Sequence, residues 1–248
     1  MGSTAFSIGL GAAALLSLGG CELDDAVVAG DFDGVPLARL ETPAEIPQGV
    51  VLGGPDRVVV VEGTRFGVTV EGSERAKQRM RFAIDDDALV IGREDGDWRD
   101  EDYATVTVTI PAPSALVIGG SGTLTSFAVA GDADVVIGGS GSLDVARVDA
   151  RELSVVIGGS GTARLAGRAE DMDIVVAGSG SADMARLAVG RAEVMVGGSG
   201  DAAFASDGTV SATIAGSGTV TVDGDADCSV ESAGSGSLVC GGQAIAAR

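Results

Sequence analysis

Val135-Val136-Ile137-Gly138-Gly139-Ser140-Gly141-Ser142-Leu143-Asp144-Val145 returns twenty residues later as Val155-Val156-Ile157-Gly158-Gly159-Ser160-Gly161-Thr162-Ala163-Arg164-Leu165. The same frame surrounds seven Gly-Ser-Gly triplets, centred on Ser121, Ser140, Ser160, Ser179, Ser199, Ser217 and Ser235 and spaced 18 to 20 residues apart. A repeat near twenty residues is one coil of a solenoid: it cannot bury an apolar face alone, and stacking on its neighbours does so. The sequence therefore predicts an all-β solenoid of seven Gly-Ser-Gly coils over residues 114–240.

Counting back from each central serine gives the interior. Three residues before it stand Ile118, Ile137, Ile157, Val176, Val196 and Ile214, with Ser232 as the exception. Five before stand Leu116, Val135, Val155, Ile174, Val194, Ala212 and Val230, and seven before Ser114, Ala133, Leu153, Met172, Ala192, Val210 and Cys228. Period-two columns share one face of a strand, so stacking turns each into a ladder along the core. Leu124, Leu143, Val220 and Leu238, then Val145, Leu165, Met184, Phe204, Val222 and Cys240, lie three and five residues past the serine and form a second wall.

The glycines around each serine mark a sharp corner, and either positive φ or close backbone approach accounts for them, since both exclude a Cβ. Seven serines along that corner stack as a hydroxyl ladder rather than a set of nucleophiles, because no base accompanies them. No helix pattern follows these triplets, so they do not read as phosphate cradles. One outward column departs from the polar rule. Val117, Val136, Val156, Val175 and Met195, four residues before their serines, stack as an apolar stripe, followed by Thr213 and Glu231. Such a surface is valine tolerated on a flat sheet for its β propensity, or is covered by the N-terminal segment, or is a contact face for self-association or a partner.

Upstream, alternating segments begin at Val50. Arg57–Val61 and Phe66–Val70 flank Glu62-Gly63-Thr64, Met80–Ile84 and Ala88–Ile91 flank Asp85-Asp86-Asp87, and Tyr103–Ile110 alternates before Pro111-Ala112-Pro113. No helix longer than Ser73–Arg79 is expected, and residues 32–113 read as strands that cap one end of the stack. Pro36, Pro43 and Pro47 keep 36–49 irregular. The acidic run Asp95–Asp102 holds the only tryptophan, Trp98, but lacks the glycine and distal glutamate of a calcium loop and reads as a solvated hairpin tip.

Composition narrows the function. The formal charge is −20, from 36 acidic residues against 16 Lys and Arg, so nucleic acid and anionic lipid surfaces are repelled. There is no histidine, and the three cysteines are too few for a metal centre; no cofactor and no metal site are expected. Residues Ala5–Leu18 are apolar but too short to span a bilayer, and they run into Leu18-Gly19-Gly20-Cys21, which resembles a bacterial lipobox. The resemblance implies an exported lipoprotein: residues 1–20 a signal peptide, Cys21 lipidated, 21–31 a tether, 32–248 the folded part. One feature departs from it, since no Lys or Arg precedes the apolar stretch. With Cys21 given to lipid, Cys228 and Cys240 remain as an even pair, either a disulfide stapling the last coil or two separate thiols.

Phe32-Asp33-Gly34-Val35, Val58–Gly63 with Val68-Thr69-Val70, Ala88-Leu89-Val90-Ile91 and Val106-Thr107-Val108-Thr109-Ile110-Pro111, leading into Gly-Ser-Gly repeats, resemble the head GIN domain family (DUF2807). The resemblance covers about residues 32–240 and implies a right-handed parallel β-helix-like fold in bacterial envelope proteins labelled as auto-transporter adhesins. It carries over no catalytic residue. The expectation is a non-enzymatic, lipid-anchored binding or adhesion module facing the periplasm or cell surface. Its partners are an envelope protein, a glycan or a second copy, and its membrane contact is through the lipid alone. Two rivals stand beside it. One is a structural envelope component. The other is a glycan-degrading enzyme using Asp144 and Asp183, which occupy one register two coils apart with Arg164 between them.

Overall fold

The computed structural model describes residues 34–94 and 103–245. The lipobox with Cys21, the tether, Phe32-Asp33 and the Asp95–Asp102 run with Trp98 lie outside the described residues.

The strands run in chain order β1 (Gly49–Leu52), β2 (Arg57–Glu62), β3 (Gly67–Glu71), β4 (Met80–Asp85), β5 (Ala88–Arg93), β6 (Thr105–Ile110), β7 (Ala115–Ile118), β8 (Thr123–Ser126) and β9 (Val129–Ile137). They continue as β10 (Ser142–Ile157), β11 (Thr162–Gly178), β12 (Ser181–Gly198), β13 (Asp201–Gly216), β14 (Thr219–Asp223), β15 (Asp227–Gly234), β16 (Ser237–Cys240) and β17 (Gln243–Ile245). A one-turn 3-10 helix (Leu37–Arg39) and the helix α1 (Glu74–Arg79) complete the described elements. Ser73 caps α1, its Oγ accepting from the Ala76 amide at 3.1 Å.

The strands form a β-solenoid of about seven turns. Its front wall stacks β5, β1, β7 and β9 and then the C-terminal parts of β10 to β13, ending at β15. Its back wall stacks β6, β2 and β8, then the N-terminal parts of β10 to β13, then β14 and β16. All these pairings are parallel, and the columns read from the serines meet in register: Ile118↔Ile137, Ile137↔Ile157, Ile157↔Val176, Val176↔Val196 and Val196↔Ile214. Every member of that column up to Ile214 is fully buried. A parallel strand buried on its inner face needs these β-branched ladders, because each side chain packs on its equivalents one rung away.

Three features go beyond the sequence reading. A side wall joins back to front, with Val129, Val148, Ala150, Ala169, Leu187 and Val189 buried along it. The register slips there, between Val145 and Val148, between Arg164 and Ala166 and between Met184 and Ala188, so this wall absorbs the 18-to-20 variation in repeat length. The N-terminal strands also stack out of chain order: β5 and β6 lie beneath β1 and β2, which lie beneath β7 and β8. Finally, β2 and β3 do not pair with each other across Glu62-Gly63-Thr64; β3 runs antiparallel along β6 instead. The β4–β5 hairpin forms as expected, with Asp86 at its tip in positive φ (47°).

Candidate functional site

Each corner is held by the backbone. The serine amides donate to glycine carbonyls of the coil beneath: Ser140 to Gly120 at 3.2 Å, Ser199 to Gly178 at 2.9 Å, Ser217 to Gly198 at 2.8 Å. The flanking glycines are fixed by close approach. A Cβ on Gly178 would lie 2.6 Å from the Gly159 carbonyl oxygen, and one on Gly141 would lie 2.6 Å from Ile118 Cγ2. The seven serines are exposed at this corner, as a ladder on an open edge.

The outward stripe is continuous. Val117↔Val136↔Val156↔Val175↔Met195 pair directly, and the N-terminal strands extend the column through Val51 and Val90. Exposure rises along it: Val90, Val51 and Val117 are buried, Val136, Val156 and Val175 half-buried, and Met195 44% exposed. The extension was readable in principle. Val50-Val51-Leu52-Gly53-Gly54-Pro55-Asp56 matches the frame before Ser121, with Pro55 and Asp56 in place of Ser-Gly.

Two different columns border the stripe. On one side run Gly119, Gly138, Gly158, Ala177 and Gly197, a floor with almost no side chain; on the other run Asp134, Ser154, Asp173 and Glu193. Beyond these stack Asp132, Glu152 and Asp171, countered by Arg151, which bonds Asp132 at 2.5 Å and also pairs with Glu152, and by Arg191, which pairs with Asp171. Exposed pairs of this kind contribute little stability. Burial holds the Asp134 carboxyl above the ordinary carboxylate value, opposed by a hydrogen bond with Ser154 and helped by Asp132. Asp173 is raised too, by burial first and then by the charges of Glu193, Asp171 and Glu152.

A carboxyl whose pKa is raised on folding binds its proton more tightly in the folded chain. That stabilisation is complete below the unfolded value and is lost as pH rises through the folded one. Asp173→Asn is therefore expected to raise Tm at pH 7 by about 1–2 °C. It should have no effect near pH 3, below the unperturbed value of 3.8. Scanning calorimetry at both pH values checks this; an equal shift at the two would contradict it.

On the back wall, Arg164 Nη1 lies 3.8 Å from Asp144 Oδ2 and Arg164 Nε 3.8 Å from Asp183 Oδ2, so the guanidinium bridges the two carboxylates. All three side chains lie on an open sheet surface, each more than two-fifths exposed. The arrangement neutralises charge; it has no walls that would exclude water from a reacting bond. Cys228 and Cys240 are joined by a disulfide, their Cα atoms 6.5 Å apart, which ties the front wall of the last coil to its back wall. One buried polar group escaped the sequence reading: Asp56, on the corner between β1 and β2, pairs with Arg93 and accepts from the Ala104 amide at 2.7 Å. Both side chains are almost fully buried, so the pair locks two N-terminal rungs together.

Residues 47–226 match the family described as "Putative auto-transporter adhesin, head GIN domain". The chain belongs to the head GIN domain family. Solved structures with the same fold include a putative adhesin from Bacteroides fragilis (18% identity, TM-score 0.69, covering 78% of this chain and 92% of that one). A putative adhesin from Parabacteroides merdae is similar (18% identity, TM-score 0.61, 78% and 91%). So is a putative lipid binding protein from Parabacteroides distasonis (18% identity, TM-score 0.59, 78% and 92%). At this identity the likeness carries the fold alone. No curated protein matches the sequence. The head GIN region matched takes in the corners from Ser121 to Ser217 and the whole valine stripe.

Proposed function

We propose that this head GIN protein is a lipid-anchored adhesion module of the bacterial cell envelope, non-enzymatic, that works by contact along its front wall. The observation carrying the reading is the in-register stripe Val136-Val156-Val175-Met195 on a flat surface, with a glycine floor on one side and carboxylates on the other. Family membership supports the adhesin-like role, and the disulfide suits an oxidising compartment outside the cytoplasm. Leu18-Gly19-Gly20-Cys21 supports the lipid anchor at Cys21.

Self-association fits this surface. Two copies related by a two-fold axis along the stripe would place valine on valine, and the acidic column of each over the glycine column of the other. Like charges then do not face each other. Val136→Thr with Val156→Thr keeps side-chain shape and should weaken association by roughly tenfold, equivalent to about 1.4 kcal/mol. Analytical ultracentrifugation reads the result; an unchanged oligomeric mass removes this contact. Glycan-array binding run beside hydrolysis assays separates a binding module from the rival enzyme at Asp144 and Asp183, since only an enzyme shortens the glycan.

A further inference from the structure

The two ends of the solenoid are finished differently. At the N-terminal end β4 runs antiparallel on β5 and β3 antiparallel on β6, so both walls close on a reversed strand. At the other end the back wall closes the same way. Gly241 and Gly242, both with positive φ (55° and 75°), turn the chain so that β17 pairs antiparallel with β16, Leu238 opposite Ile245. The front wall has no such strand: among the described residues β15 pairs with β13 alone.

The hydrogen-bond polarity of the coils shows what that edge presents. Outward-facing residues look back along the stack: Asp134 N donates to Ser114 O, Gly138 N to Ile118 O and Gly158 N to Ile137 O, each at 2.8 Å. A residue's N–H and C=O leave a strand on the same side, so inward-facing residues look forward. On β15 these are Cys228, Val230 and Ser232, whose amides and carbonyls point toward the place of the next rung. Only an extended polypeptide offers donors and acceptors at that two-residue spacing of roughly 7 Å. Across the gap, β16 and β17 project further than β15, and half-buried Cys228, Ala226 and Ile245 pack against the end of the core. Alternate apolar side chains on an added strand would cover them. Outward, β15 shows Asp227, Ser229 and Glu231, which favour basic residues opposite. A second copy is a poor occupant: its own projecting β16–β17 would meet this one, and its β15 offers no Lys or Arg to face Asp227 and Glu231.

We infer that the free edge of β15 is a strand-addition site for an extended segment of a partner polypeptide that alternates apolar and basic residues. It is separate from the valine stripe, and Val136→Thr with Val156→Thr should leave it unchanged. The probe is a ten-residue peptide of alternating valine and lysine, followed by amide hydrogen exchange in the intact disulfide-bonded chain. In the free protein Ser229 and Glu231 should be protected through β13, while Cys228, Val230 and Ser232 exchange quickly. The peptide should slow those three at least tenfold, and a peptide N-methylated on alternate residues of its bonding edge should not. Ser232→Pro removes one forward amide without touching the β13 ladder, and should weaken peptide binding at least tenfold. Three results would overturn the assignment: forward amides already protected in the free chain, forward amides indifferent to the peptide, or equal binding by the N-methylated peptide.

Discussion

Gly198→Ala is expected to cost about 2–4 kcal/mol of unfolding free energy, while Gly197→Ala, one residue earlier, should change it by less than about 0.5 kcal/mol. Gly198 has φ of +123°, and a Cβ there would overlap the Gly178 carbonyl oxygen. That oxygen cannot move aside, because it accepts the Ser199 amide at 2.9 Å and so belongs to the ladder that stacks the corners. Backbone strain of roughly 1–3 kcal/mol adds to an overpacking penalty of similar size. Gly197 has no positive φ, and the nearest atom to its Cβ would be the Val176 oxygen at 4.0 Å. Denaturant titration of the two variants measures the difference; equal costs would mean that the corners are not held by close approach.

Phe204→Ala is expected to be at least as damaging, about 3–5 kcal/mol, or a fall in Tm of roughly 6–20 °C for a chain of this size. Phe204 is fully buried on the back wall, stacked between Met184 below and Val222 above. The solenoid core is narrow, and few large side chains fill it, so neighbouring rungs cannot easily collapse into the void. Met195→Ala, in the same coil system but pointing outward, should cost little. Thermal unfolding followed by circular dichroism separates the two; a mild Phe204→Ala would place that side chain outside the core.

The front and back walls were legible because their residues keep a constant offset from each serine. Ile137 and Ile157 lie three before, Leu143 and Ala163 three after, and the structure pairs both sets in register. The side wall was hidden for the opposite reason. It takes up the variable residues between repeats, so the stacked, buried residues Ala150, Ala169, Val189 and Ser206 lie ten, nine, ten and seven residues past their serines, and period-two counting loses phase at the register slips. The N-terminal rungs were hidden by topology: β5 and β6 come later in the chain than β1 and β2 but lie beneath them, an order that no local pattern encodes. The stripe is read from Val117 to Met195; the frame at Val50–Asp56 offers Val51 as well, but Val90 joins it only through that same crossover. At β15 the sequence shows only two columns turning polar, at Ser232 and Glu231. Seeing the free edge required knowing that Gly241-Gly242 folds β17 onto the back wall and leaves the front wall open.

Stacked corners rising by one strand spacing per repeat are the premise of everything proposed for this surface. Spin labels on cysteines placed at Ser121 and, in turn, Ser199, Ser217 or Ser235 measure it directly, in a chain with Cys21 changed to serine and the Cys228–Cys240 disulfide intact. These serines are exposed, so the labels need not disturb packing. The mean distance should grow by about 4.8 Å with each successive coil, from roughly 19 to 24 to 29 Å before the label offset. Distances that fail to rise in equal steps would contradict the stack.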